Sequence, residues 1–201
     1  MSPRRSAAEA HRTRAAIVEC VIDRASIDGL EGVTIGRLAA DLGMSKSGVL
    51  GPFGTKEQLQ LSAIEAASAV FRREVWGQAV DAHPGLDRIL AICDAWISFL
   101  ERDVFPGGCF ITAASCEVDG HPGRVRDAVA TSLAWWIEAL RHEAQLAVDA
   151  GELPADRDPE MIAFQLNAIA MGANQAIQLL DDDSAPHRAR RAMYAALGIA
   201  G

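Results

Sequence analysis

Lysine is nearly missing from this chain: against 17 arginines there are two lysines, Lys46 and Lys56, and both fall within the stretch 34–59. Long apolar runs are missing too. No segment approaches the roughly 18 apolar residues that a membrane helix needs, and the N-terminus lacks the apolar run of a secretory signal, so a cytoplasmic protein with no membrane partner is expected. The four cysteines, Cys20, Cys93, Cys109 and Cys116, include no Cys-x-x-Cys and no histidine at zinc-ligand spacing. No metal site is expected from them. Cys109 and Cys116 share a face of one expected helix but sit roughly 10 Å apart along it, beyond disulfide reach. They read as small buried hydrophobes, or as a redox pair only if the helix breaks or a second chain supplies a thiol. Gly-x-Ser-x-Gly, His-Glu-x-x-His and a glycine-rich phosphate loop are all absent, so neither catalytic residues nor a cofactor are expected and an enzyme finds no support. No strand pattern stands out. The expectation is an all-α chain.

What is present concentrates in Thr34–Leu59, TIGRLAADLGMSKSGVLGPFGTKEQL. Thr34 can cap a short helix of about 35–42, with Ile35, Leu38, Ala39 and Leu42 on one face. Gly43 follows where positive φ reverses the chain. Ser45 caps a second helix that Pro52 ends after one turn and a half, too short to be stable alone. Such a stub is expected to serve by what it presents: Ser45, Lys46 and Ser47, beside Gly48 where backbone can approach a partner. Phosphates and base edges accept those contacts. Thr55 and Gln58 form a capping box opening a long helix, and Lys56 in its first turn opposes the helix dipole, which predicts an anionic partner. The layout is a helix-turn-helix.

Residues from about 13 to 61 resemble the DNA-binding domain of the TetR family of bacterial transcriptional regulators. Thr13, Ile17, Ala25 and Gly29 match its first helix, Thr34, Leu38, Ala39 and Gly43 its second, and Ser45, Lys46, Phe53, Lys56 and Leu59 follow. The resemblance implies DNA contacts by Thr34, Ser45, Lys46, Ser47 and Lys56, with Phe53 anchoring the recognition helix. One departure is clear: Leu50, Gly51 and Pro52 stand where the family shows Tyr-x-His or Tyr-x-Tyr, whose side chains reach phosphates. Compensation is expected from Arg4, Arg5, Arg12 and Arg14 of the N-terminal arm, Arg14 above all. A basic N-terminus with Ser and Pro is also what a solvated tail looks like.

Charge is divided unevenly. Residues 1–62 hold eight Lys and Arg against seven Asp and Glu, while the rest holds 11 against 20. An acidic body on a near-neutral head repels DNA everywhere except at the head. That division suggests a helix-turn-helix DNA-binding domain at 1–55 and a ligand-binding and dimerisation domain at 56–201. Helices are expected at about 56–80, 86–104, 109–118, 123–150, 158–180 and 186–197, about nine in all with the three of the head. The long helix of 123–150 carries Val125, Val129, Leu133, Trp136, Leu140 and Ala147 on its core face.

The helix from Asp158 is apolar nearly all round and rich in small residues, so burial on more than one side is expected. In the resembled family the last two helices pair with their copies in a second subunit. That implies a homodimer interface including Leu166, Ala170, Ala173, Ile177 and Tyr194, with simple burial inside one chain as the alternative. The family also encloses a small-molecule effector in its body. Trp96, Phe99, Phe110, Cys116, Trp136 and Gln165 are the candidate lining, suited to a neutral apolar ligand, though each residue is also what ordinary core packing uses. The expected function is a ligand-released regulator, a repressor as is commonest in the family, bound as a homodimer to an inverted-repeat operator in double-stranded DNA. The alternative is a helical small-molecule or protein-binding module whose DNA head is impaired at Leu50–Pro52.

Overall fold

The computed structural model describes residues 7–199. Among them the backbone forms nine helices and no strand: α1 Ala7–Asp28, α2 Ile35–Asp41, α3 Lys46–Leu50, α4 Lys56–Phe71, α5 Leu86–Glu101, α6 Phe110–Val118, α7 Arg124–Asp149, α8 Pro159–Leu180 and α9 Ala185–Ala196. Every helix expected from the sequence is present, with ends within a few residues. One feature was not expected: α4 runs on through a π-helical turn, Arg72–Trp76, before a last short turn Gly77–Ala79. There the Gly77 N–H reaches back to the Arg72 carbonyl, which inserts one extra residue into the helical ladder.

The chain forms two compact units, one of residues up to Ser68 with Phe105–Val129, the other of Ala69–Val104 and the residues from Ala130 onward. The first unit gathers more than the three head helices, because polar side chains of α4 and α6 tie into the α1–α2 turn. Its interior holds Ile17, Leu30, Leu38, Val49, Leu59 and Phe110, all nearly inaccessible.

In the second unit the interior centres on a cluster of rings. Phe71 meets Trp96, Phe99 and Trp136 edge to face, and Trp96 meets Trp136, with centroids 4.8–5.8 Å apart. Each such pair adds about 1 kcal/mol beyond the burial of its area. The start of α5 is secured by two carboxylates. Glu143, buried to 2% exposure, accepts the Gly85 N–H at 2.9 Å and the Arg88 guanidinium at 3.1 Å, and Glu152 accepts the Leu86 N–H at 2.8 Å. Helix amides without intrahelical partners are satisfied in this way, and the negative charges suit that end of the helix dipole.

Asp158 caps α8 by accepting the Glu160 N–H at 2.9 Å, and Pro159 follows at the first helical position, as the sequence indicates. Burial is divided among the faces of this helix. Leu166, Ala170 and Ala173 are 0–5% exposed and packed within their own chain. Ile177 is half-buried, and Tyr194 of α9 is half-buried with its hydroxyl donated to Asp94 at 2.9 Å. The open face of α8 carries Met161, Phe164, Ala168, Gly172, Gln175 and Leu179. Their spacing of three and four residues makes one continuous stripe.

Candidate nucleic-acid interface

The head is built by short-range caps. Thr34 accepts the Arg37 N–H at 3.3 Å to start α2, and Gly43 takes φ +61° to turn the chain after it. Ser45 accepts the Gly48 N–H at 3.1 Å to start α3, and its hydroxyl lies 3.1 Å from that of Ser47. Val49 is fully buried and Phe53 nearly so, which fixes α3 from its inner side. Ser45, Lys46 and Ser47 are exposed, and Gly48 is half-buried. Lys46 lies across α2: a Cβ on Gly36 would meet its Cε at 3.4 Å. Among the described residues Lys46 has no hydrogen-bond or ion-pair partner. The short helix thus holds out one unpaired ammonium and two hydroxyls, donors suited to phosphate and base edges.

Lys56 has the anionic partner that its place in the first turn predicts, and it belongs to the same chain. Its Nζ donates to the Glu31 carbonyl at 3.2 Å and to Glu31 Oε2 at 3.3 Å. The Glu31 carboxyl is held below its ordinary range, first by the amide of Gln60 and then by Lys56. Arg14 is turned inward. Its guanidinium stacks 4.4 Å over the Phe53 ring and donates to Ser62 at 3.0 Å, so it braces the anchor of α3. Arg12 is exposed, whereas Arg4 and Arg5 lie outside the described residues. Pro52 is exposed and, with Ala10, His11, Thr13 and Arg14, lines a cleft of about 330 Å³ beside α1.

Two ties were not evident in the sequence. Glu117 of α6 accepts the N–H groups of Leu30 and Glu31, each at 2.7 Å. Ser26 Oγ accepts the Gly107 N–H at 3.0 Å, and Gly107 sits so close that a Cβ there would fall 1.9 Å from the Ser26 carbonyl. Partners 81 to 87 residues apart leave no local signal in a sequence.

The candidate effector residues divide. Trp96, Phe99 and Trp136 come together with Phe71 in the ring cluster of the second unit. The indole N–H of Trp136 is buried there with no hydrogen-bond partner. Gln165 lines a different space, a cleft of about 350 Å³ with Arg157, Met161 and Ala196. Phe110 and Cys116 belong to the first unit, Phe110 buried and Cys116 exposed. Burial pushes the Cys93 thiol up to about 12 and raises that of Cys109. Among the described residues no group of acidic, His or Cys side chains could hold a metal ion, and no helix is long and apolar enough to cross a membrane.

A helix-turn-helix head on a further set of helices defines an all-α protein of the DNA-binding class. A family model, the C-terminal domain of tetracyclin repressor-like proteins, matches residues 85–193, and the chain belongs to the TetR family of transcriptional regulators. Among solved structures it is similar to a TetR transcriptional regulator from Chloroflexus aurantiacus J-10-FL, with 26% identity and a TM-score of 0.85 over 93% of this chain and 96% of that one. A TetR-family regulator from Cytophaga hutchinsonii shares 19% identity and a TM-score of 0.81 over 98% of both chains. AibR, solved in complex with isovaleryl coenzyme A and operator DNA, shares 20% identity and a TM-score of 0.71 over 90% of this chain and 95% of that one. The last two are likenesses of fold. No curated protein sequence matches the chain.

Proposed function

We propose that this regulator binds an inverted-repeat operator as a homodimer, acts as a repressor, and is released by a small, mainly apolar ligand. The observation that carries the DNA reading is α3: capped by Ser45, pinned by buried Val49, and presenting Lys46 and Ser47 outward. One such helix reads few bases. Two of them about 34 Å apart on a two-fold dimer read adjacent turns of the major groove. The open stripe of Met161, Phe164, Ala168, Gly172 and Leu179 supports pairing through α8, since no described residue covers it and Gly172 leaves room for close approach. For the effector, the ring cluster supplies apolar side chains and a buried, unused donor on Trp136. A ligand with an apolar body and one acceptor oxygen suits it. AibR, which shares the fold, was solved with both isovaleryl coenzyme A and operator DNA, which supports the joint reading of effector and operator.

A second reading rests on Leu50–Pro52. Gly51 and Pro52 are exposed and carry no polar side chain, so backbone phosphates gain nothing from them, and the head could serve a helical ligand-binding or protein-binding module instead. Titrating the purified protein against fluorescent duplex from the DNA beside its own gene, with random duplex as control at physiological salt, separates the two. Preferential binding supports the regulator, and equal binding supports the module.

A further inference from the structure

Glu117 stands well outside the helix-turn-helix in sequence, yet its carboxylate takes two successive amides of the α1–α2 turn. Leu30 N donates to Oε2 and Glu31 N to Oε1, both at 2.7 Å, the length of charge-assisted bonds. The fit leaves no slack: Gly29 takes φ +77°, and a Cβ on it would fall 2.9 Å from Glu117 Oε2. Gln60, itself buried, holds the same turn from the other side, donating to the Leu30 carbonyl at 3.2 Å and to Glu31 Oε1 at 3.1 Å. The main chain at Glu31 is therefore fixed from both directions. Its carbonyl and Oε2 are the two acceptors that hold the Lys56 ammonium. An ammonium has three donors, so two bonds orient it and one is left for an outside acceptor. Ordering the lysine in advance removes much of the entropy loss that contact with DNA would otherwise incur.

We propose that Glu117 is a positioning residue for the contact between Lys56 and the DNA backbone, a role that rests on the DNA-binding function proposed above. Its sign sets it apart from simple electrostatics. A carboxylate near bound DNA repels phosphate, so its removal should by charge alone strengthen binding. Positioning requires the opposite.

The test uses full-length protein and the operator duplex, with affinity followed against salt for wild type, Lys56→Ala, Glu117→Ala, Glu117→Gln and the Glu117→Ala/Lys56→Ala double variant. Loss of one phosphate contact per protomer, two in the homodimer, is expected to weaken binding about 25-fold at 0.15 M salt and to lower the salt slope by about two. Lys56→Ala and Glu117→Ala should each show that loss. Glu117→Gln, which keeps one acceptor oxygen, should fall between, and Glu117→Ala should add nothing once Lys56 is gone. Tighter binding by Glu117→Ala, no change, or a loss of equal size in the Lys56→Ala background would overturn the positioning role. So would loss of fold in both Glu117 variants, which would make the residue structural only. Failure of the wild type to prefer operator would instead overturn the DNA function on which the role rests.

Discussion

Hydroxyls shape the DNA-binding head more than charge does. Thr34, Ser45 and Thr55 each accept the amide three residues on, and each starts a helix. Ser45→Ala should weaken α3 by about 1 kcal/mol. Faster hydrogen exchange at the Gly48 amide with little change in global stability is the expected observation; unchanged exchange would remove the cap from the account. These caps were legible because donor and acceptor are neighbours in sequence. The partners of Arg14 and Lys56, Ser62 and Glu31, lie 48 and 25 residues away, so the sequence showed two cations and not what they hold. Deeper in the chain, Glu143→Ala leaves the Arg88 guanidinium, 16% exposed, without its carboxylate. Breaking a buried pair from one side costs about 3 kcal/mol or more, to be read from denaturant unfolding. Asp182 gives a pH signature. The Ser184 hydroxyl, the Arg188 guanidinium and the Ser184 amide hold its carboxyl down to about 2, from an ordinary value of 3.8. Because the folded value is lowered, its contribution to stability is complete above 3.8 and is lost as pH falls from there toward 2. In thermal melts across that window, wild type should converge on Asp182→Asn; a constant gap would contradict the assignment.

At the scale of the element, α8 was legible only in part. Its ends were legible from Asp158-Pro159 and from the acidic turn at 181–183, because caps and punctuation are local. Its faces were not. A helix apolar on every side gives a periodicity argument nothing to choose between, so Leu166, Ala170 and Ala173 were as plausible for a subunit interface as the residues left open. Packing within the chain separates them: those three are buried, and Phe164 remains 67% exposed. Phe164→Glu should shift the protein from dimer to monomer in sedimentation velocity while its helical circular dichroism is retained. A dimer unaffected by that change would place the interface elsewhere. The π turn in α4 was equally hidden, since Arg72–Trp76 has the composition of ordinary helix.

At the largest scale, the nine helices of the described residues, their order and their family were readable from caps, glycines and prolines, because an all-α chain advertises its breaks. How residues distant in sequence join was not, and the segment 105–129, which belongs with the head through Glu117 and Gly107, is the main instance. The formal charge of −8 makes broad affinity for polyanions unfavourable, so any DNA binding must come from the local donors of the head. That requirement is also the most direct test. Fluorescence anisotropy of the purified protein at physiological salt, on duplex from beside its own gene and on random duplex of equal length, should give a preference of about a thousandfold, within the range of specific regulators, with two protomers bound per site. Equal affinity for both duplexes would contradict the account.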